Sequence, residues 1–281
     1  MPMSPLLRRL AVSSALLVAA LAPALSIGGP AQAAPMPVDL ELILAVDVSG
    51  SVDAIEARLQ REGYIAAMTS DKVIKAIQSG PYRRIALSYV EWAGEQYQQT
   101  IMPWTLIENL QDAQNFMSKV ADSPYVAIRW TSISAAIDYS KALFDKSPYE
   151  GTRRVVDISG DGKNNHGRDL AAARAEALAA GIVINGLPIL NSRSGAYDSG
   201  GPRGWPSDPD LDIYYQTQVI GGPGAFMVPA ESFDTFSEAV KSKLMREIAG
   251  IAPGIPIEGD SQFAYGPLTE KQQDASAQSA E

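Results

Sequence analysis

The fold is decided by residues 40–51, which read LELILAVDVSGS. The first seven are apolar apart from one glutamate, and such a run predicts a buried strand near the centre of a sheet. Residues 52–68 then read as a helix. Asp47, Ser49 and Ser51 therefore fall on the turn between a buried strand and a helix, at the edge of an open α/β sheet where ligands bind.

The rest of the chain repeats the strand-then-helix pattern, which predicts a mostly parallel central sheet with helices on both faces. The segment Ala93-Gly94-Glu95 predicts a tight hairpin, so the strand after it should be an antiparallel edge strand. The predicted fold is therefore a three-layer α/β sandwich. Further strands are predicted at residues 84–92, 99–103, 153–159 and 182–189, and further helices at residues 71–78, 108–120, 132–146, 168–179 and 232–249.

The oxygen atoms of the first turn suit a hard divalent cation. One carboxylate and two hydroxyls are donors that Mg²⁺, Ca²⁺ and Mn²⁺ accept and that zinc and copper disfavour. Three such donors bind an ion poorly, so others must come from elsewhere on the same edge. Thr131, before the helix at residues 132–146, and Asp161, after the strand at residues 153–159, are placed to supply them.

The same residues also allow an ordinary helix-capping turn. Asp and Ser are preferred at the N-cap, and Thr131 is placed to cap the helix that follows it. A threonine hydroxyl that binds a metal cannot serve fully as a cap. The use of the Thr131 hydroxyl therefore separates a metal site from a plain structural turn.

Taken in this order, the residues resemble the metal-ion-dependent adhesion site of von Willebrand factor type A domains, over about residues 38–250. The resemblance implies a divalent cation, Mg²⁺ first, with Ca²⁺ or Mn²⁺ as alternatives. It also implies that an acidic residue of a protein or peptide partner completes the coordination. The residues that carry the resemblance are Asp47, Ser49, Ser51, Thr131 and Asp161-Gly162, with hydroxyl ligands from Ser49, Ser51 and Thr131 and with Asp47 and Asp161 acting largely through bound water.

One departure from the family pattern precedes the threonine. Arg129-Trp130 stands where many members have glycines. This departure bears on the shape of the ligand face and leaves the metal ligands unchanged. The chain is also similar to a bacterial subgroup of exported type A proteins with no established activity.

The two ends of the chain differ from its body. Arg8-Arg9, an apolar stretch at residues 10–25 and Ala31-Gln32-Ala33 predict a secretory signal peptide over residues 1–33. An uncleaved anchor is the alternative, but the stretch is short for a membrane span. We therefore expect an exported protein, periplasmic or extracellular, with no stable membrane insertion after cleavage. Residues 251–281 are predicted to be a disordered tail after a domain at residues 38–250.

Composition limits the partners. The net charge of −9, with no basic run beyond the first ten residues, argues against nucleic acid. There is no cysteine and only one histidine, His166, so nucleophilic catalysis lacks its usual base and we predict no enzyme and no catalytic residues. His166 is expected to be a solvated loop residue, with a contact to the metal site or partner as the alternative. Two other functions stay open: a metal-dependent hydrolase and a metal-independent envelope scaffold.

Three further features are ambiguous in sequence. Glu91 ends a strand on the ligand edge, where it could tune the site or simply close a hairpin. Residues 191–212 read as a long loop that either covers part of the metal face or is a mobile surface loop. The glycine-rich residues 221–224 read as a turn before a short strand, because Pro223 and the lack of a lysine argue against phosphate binding.

Overall fold

A central sheet of five strands organises the protein, which a computed structural model describes over residues 34–126, 128–190, 208–231 and 235–250. The strands are β1 (Met36–Val38), β2 (Leu40–Asp47), β3 (Ile85–Trp92), β4 (Gln98–Ile107), β5 (Tyr149–Gly151), β6 (Arg154–Gly160) and β7 (Ile182–Pro188). The sheet order is β4-β3-β2-β6-β7, and only β4 is antiparallel. The predicted antiparallel edge strand is thus confirmed. A small parallel pair, β1 with β5, was not predicted from the sequence.

Helices cover both faces of this sheet. Within the described residues they are α1 (Ala54–Met68), α2 (Asp71–Ser79), α3 (Leu110–Ala121), α4 (Ile133–Phe144), α5 (Leu170–Ala179), α6 (Leu211–Tyr214) and α7 (Phe236–Ala249). Helix α6 continues directly into a π-helical turn, Tyr215–Val219. The last helix ends at Gly250, whose φ of 64° lies in the left-handed region, as expected for a glycine that closes a helix.

The side chains of β2 alternate between two separate cores, as the period of a strand requires. Leu42 and Leu44 lie in one core with residues of α1, α2, α3 and α7. Ile43 and Ala45 lie in the other with residues of α4, α5, α6 and the π-helical turn. Asp47 continues the second series, so its carboxylate is directed to the side of the sheet where the π-helical turn packs.

A buried charge network joins the last helix to the middle of the sheet. The Lys243 ammonium lies 2.6 Å from Asp157 of β6 and also pairs with Glu247, one helical turn further along α7. Asn185 of β7 donates to Glu247 at 2.9 Å. All four side chains are buried. The sequence pattern of α7 predicted its apolar face correctly and gave no sign of these buried charges.

Two sequence expectations need correction. The predicted loop at residues 191–212 overlaps α6, which begins at Leu211. Leu211 is buried, so a single leucine anchors a segment that is otherwise poor in apolar residues. The strand expected after residues 221–224 is reduced to isolated bridges, such as Gly186 with Met227. Residues 191–207 of that loop, the predicted signal peptide at residues 1–33 and the predicted tail at residues 251–281 lie outside the described residues. No helix within the described ranges is long and apolar enough to cross a membrane.

Candidate metal centre

The Asp47 carboxylate is held by its own turn at the end of β2. The backbone N–H of Ser49 donates to Asp47 Oδ1 at 2.6 Å, a turn that aspartate side chains favour. Asp47 Oδ2 is buried and has no hydrogen-bond partner within the described residues. A buried oxygen without a donor is rare in folded proteins, and a cation or an ion-bound water would satisfy it.

The other predicted oxygens lie on the same edge of the sheet. Ser51 Oγ donates to Asp161 Oδ1 at 2.6 Å, and the Ser49 and Ser51 hydroxyls are 3.0 Å apart. Thr131 Oγ1 lies 3.6 Å from the point where a Cβ on Gly162 would stand, directly beside the Asp161-Gly162 turn. The turn after β2, the segment before α4 and the end of β6 therefore meet here.

The helix cap that the sequence offered to Thr131 is taken by its neighbour. Ser132 is the N-cap of α4, and its Oγ accepts a hydrogen bond from the backbone N–H of Ala135 at 3.3 Å. The Thr131 hydroxyl is therefore not used as a cap. Its side chain is buried, and the capping interpretation does not explain its position.

The two carboxylates repel each other and are poorly solvated. Burial, followed by the negative charge of Asp161, raises the pKa of Asp47 well above its ordinary value. Burial likewise raises the pKa of Asp161 to about 6, against the hydrogen bond from Ser51. A buried acid beside a half-buried one is a place where a cation would remove an electrostatic cost.

The candidate centre is rich in hydroxyls and poor in acids. Nowhere in the described ranges do three His, Cys, Asp or Glu side chains come together as a possible metal cluster. The oxygen set has two carboxylates, Asp47 and Asp161, and the hydroxyls of Ser49, Ser51 and Thr131. Such donors suit Mg²⁺, Ca²⁺ or Mn²⁺, and few direct charges would leave a bound ion able to attract a carboxylate from outside.

An asparagine pair fixes the segment that carries Thr131. Asn165 holds the threonine backbone from both sides, because its Oδ1 accepts from Thr131 N at 2.9 Å and its N–H donates to Thr131 O at 2.9 Å. Asn164 Oδ1 accepts from Ser134 N at 3.0 Å, and its own N–H donates to the Tyr214 hydroxyl. Neither asparagine was predicted from the sequence, in which their only signal is their position just after Asp161.

An exposed aromatic pair stands beside Thr131. The Trp130 side chain is 54% exposed and stacks on His166 with ring centroids 5.6 Å apart. Trp130 has a φ of 73°, a left-handed conformation that is strained for a bulky residue. His166 lies half-exposed on the loop after β6, and its Nδ1 accepts from Glu95 N at 3.1 Å, so this loop histidine also has contacts that the sequence did not indicate. Arg129 lies 5.6 Å from the Trp130 ring.

Glu91 has a structural partner. Its carboxylate is buried and lies 2.6 Å from Arg61, which also donates to the backbone oxygen of Ser123. Burial raises the pKa of Glu91 in spite of this cation. Glu91 therefore ties α1 to β3 and the loop after α3, which agrees with the structural alternative.

The sheet order and the site together define a von Willebrand factor type A fold, as the sequence predicted. The chain belongs to the family described as "Protein of unknown function (DUF1194)", whose model matches residues 37–252. A comparison with curated proteins found no match.

Solved structures support the fold assignment at low sequence identity. Proximal thread matrix protein 1 from the mussel byssus, solved with its MIDAS motif occupied by zinc, has a TM-score of 0.55 at 14% identity over 76% of this chain and 49% of its own. The pilus adhesin SpaC of Lactobacillus rhamnosus GG has a TM-score of 0.52 at 13% identity over 75% and 31%. A von Willebrand factor type A protein from Catenulispora acidiphila has a TM-score of 0.51 at 15% identity over 75% and 43%. The chain thus spans less than half the length of each.

Proposed function

We propose that the protein is an exported interaction module that binds a divalent cation, Mg²⁺, and through it an acidic residue of a protein partner. The ion would be held by the hydroxyls of Ser49, Ser51 and Thr131, with Asp47 and Asp161 acting largely through bound water. The ion supplies an open coordination position for a carboxylate. The zinc-occupied MIDAS of the mussel protein supports a divalent cation in general, and the all-oxygen donor set favours Mg²⁺ over zinc here.

The observation that carries this proposal is the unpartnered Asp47 Oδ2. It lies beside a second carboxylate and has no hydrogen-bond partner of good geometry among the described residues, although Ser49 and the Asp161 backbone lie close enough to lower the pKa of Asp47 against the effect of burial. Buried polar atoms are generally hydrogen-bonded in folded proteins, and this unpartnered oxygen lies where the hydroxyls of Ser49, Ser51 and Thr131 also gather. A bound cation with its waters accounts for this oxygen and for the free Thr131 hydroxyl together.

The surface beside the candidate ion site suits an acidic partner. Arg129 is exposed and forms no ion pair within the described residues. Trp130 offers an exposed indole that is held in place by His166. A cation and an immobilised aromatic residue are typical of protein-binding surfaces, and both would flank a carboxylate bound at the ion.

The ion site is tested by titrating the purified protein with Mg²⁺, Ca²⁺ and Mn²⁺ in a calorimeter and in thermal melts. We expect Mg²⁺ to raise the melting temperature of the wild type and of Asp122→Ala. Asp122 is an exposed acid after α3, chosen as a matched control. Asp47→Ala should abolish the effect, because it removes the buried carboxylate from the centre.

Two outcomes would contradict the proposal. If Asp47→Ala keeps the full response, the ion binds elsewhere. If captured envelope proteins stay bound in EDTA and on Asp47→Ala, the partner surface does not need the ion, as a scaffold would predict. Turnover of an ester or phosphate substrate that disappears with Asp161→Ala would instead favour the hydrolase.

A further inference from the structure

The Tyr215 hydroxyl is buried at the candidate metal centre without a hydrogen-bond partner. Its side chain is fully buried, and its OH finds no partner within the described residues. The OH lies 3.0 Å, and Asp47 Oδ2 lies 2.9 Å, from the same point, the position that a Cβ on Gly160 would take. Two unpartnered oxygens therefore face one small polar space above Gly160.

Two glycines on adjacent strands make room for this tyrosine. A Cβ on Gly186 of β7 would come within 2.8 Å of the Tyr215 ring. A Cβ on Gly160 of β6 would fill the space between the hydroxyl and Asp47. Glycines in strand interiors mark places where another group must approach closely. Because neither glycine has a Cβ, the Tyr215 ring can pass over β7 and its hydroxyl can reach the end of β6.

The backbone at Tyr215 is also unusual. Tyr215 opens the π-helical turn, and its carbonyl accepts from the N–H of Ile220, five residues on, at 3.0 Å. Short π-helical turns are rare and occur often at functional sites. The turn directly follows Tyr214, whose hydroxyl accepts from Asn164 N in the site wall. The same short segment thus sends two tyrosines to the candidate centre.

We infer that Tyr215 is a positioning residue of the ion site: when a cation is bound, its hydroxyl donates across the space above Gly160 to Asp47 Oδ2 and fixes the carboxylate. The inference rests on the proposed function. Groups that orient a metal-binding carboxylate by hydrogen bonding commonly change metal affinity by about 10- to 100-fold when removed. Packing alone requires only the ring, which phenylalanine supplies, and the hydroxyl shares the space above Gly160 with the unpartnered Asp47 Oδ2.

The test compares Tyr215→Phe with Tyr89→Phe, the same chemical change at a fully buried tyrosine of β3 whose hydroxyl also has no hydrogen-bond partner within the described residues. Mn²⁺ affinity is measured by electron paramagnetic resonance, and melting temperature is measured separately in EDTA. Tyr215→Phe should weaken Mn²⁺ binding about tenfold, yet melt in EDTA at or above the wild-type temperature, because an unpartnered buried hydroxyl has been removed. Tyr89→Phe should keep the Mn²⁺ affinity within about twofold, because Tyr89 lies in the core on the α1 side of the sheet and not at the candidate centre.

The role of Tyr215 and the ion site itself are overturned by different results. If the wild type binds Mn²⁺ and Tyr215→Phe binds it equally well, the role of Tyr215 is wrong and the ion site stands. If Tyr215→Phe loses affinity and also melts lower in EDTA, the hydroxyl supports the fold and the positioning role is likewise overturned. If the wild type does not bind Mn²⁺ at all, the proposed function fails and this inference fails with it.

Discussion

Thr131 and Ser132 are adjacent hydroxyl residues with different surroundings. Ser132 Oγ caps α4 through the backbone N–H of Ala135. The Thr131 hydroxyl instead faces the Asp161-Gly162 turn. The two side chains can therefore be altered separately, and each change should affect only one property of the protein.

Thr131→Val removes a hydroxyl and keeps the shape of the side chain. In EDTA the free energy of unfolding should be unchanged or slightly higher, because the Thr131 hydroxyl does not cap a helix. The affinity for Mg²⁺ should fall at least about tenfold. Ser132→Ala is the matched control and should lower the free energy of unfolding by about 1 kcal/mol, with little change in Mg²⁺ affinity. Urea unfolding in EDTA and calorimetric titration measure the two effects, and a reversed pattern would return Thr131 to a capping role.

At the residue scale, the sequence could predict which side chains gather on the sheet edge, because each follows a strand or precedes a helix. It could not decide between two adjacent candidate caps, since both Thr131 and Ser132 suit the position. The left-handed backbone of Trp130 was also beyond prediction, because local propensity opposes it. Tyr215 carried no pattern at all, since its place depends on glycines in two distant strands.

At the scale of elements, α7 is joined to the sheet by charge as well as by apolar packing. Lys243 and Glu247 lie one turn apart on its buried side, and Asp157 faces them from β6. Breaking a buried ion network by removing one partner leaves an uncompensated charge, which costs far more than losing a surface pair.

Lys243→Met should therefore lower the free energy of unfolding by about 3–5 kcal/mol, because two carboxylates stay buried without a cation. Lys241→Met is the control on the same helix, since Lys241 pairs with the exposed Glu238, and it should change stability by no more than about 0.5 kcal/mol. Urea unfolding at neutral pH compares them. Equal stability of both variants would mean that Lys243 contributes nothing beyond its aliphatic chain.

Elements with a strong apolar period were predicted well, and elements defined by other forces were not. The inner face of α7 follows from Val240, Leu244 and Ile248, which are all buried. Lys243 is buried in the same helix, but a hydrophobicity pattern would assign a lysine to the surface. The π-helical turn was missed because a helical period of 3.6 does not describe a turn with a hydrogen bond to the fifth residue.

For the molecule as a whole, the network makes stability depend on pH. Its three buried charged groups, Asp157, Glu247 and Lys243, would carry a net charge of −1 if all were ionised, and Tyr64 also faces Asp157. Burial, and secondarily the charge of Glu247, raises the pKa of Asp157 to about 7, although Lys243 opposes the shift.

Because the folded pKa of Asp157 lies above its ordinary value of 3.8, the native state keeps a proton that the unfolded chain has lost. This contribution to stability is complete below about pH 4 and is lost as the pH rises through about 7. Asp157→Asn should remove this dependence on pH. As the pH rises from 5 to 8, the free energy of unfolding of the variant should therefore increase relative to that of the wild type. Urea unfolding in EDTA at each pH measures the difference. A difference that does not vary with pH would mean that Asp157 is ionised throughout.

The whole architecture was more predictable than its details. Strand order near the centre follows from the nearly continuous apolar run of β2, and the edge position of β4 follows from a short hairpin. Both depend on local sequence. The pairing of β1 with β5 is too short and too distant in sequence to leave a pattern, and the charge network needs contacts between β6, β7 and α7.

The cation that balances Asp157 also fixes the order in which the protein can be completed. A chain growing on the ribosome makes β6 and β7 well before Lys243 of α7. Until that last helix emerges, the sheet would have to bury Asp157 without an ammonium group beside it and with one apolar face partly uncovered. We therefore expect the nascent domain to complete its folding only after α7 has been synthesised, and a chain cut short before α7 to be open to proteases.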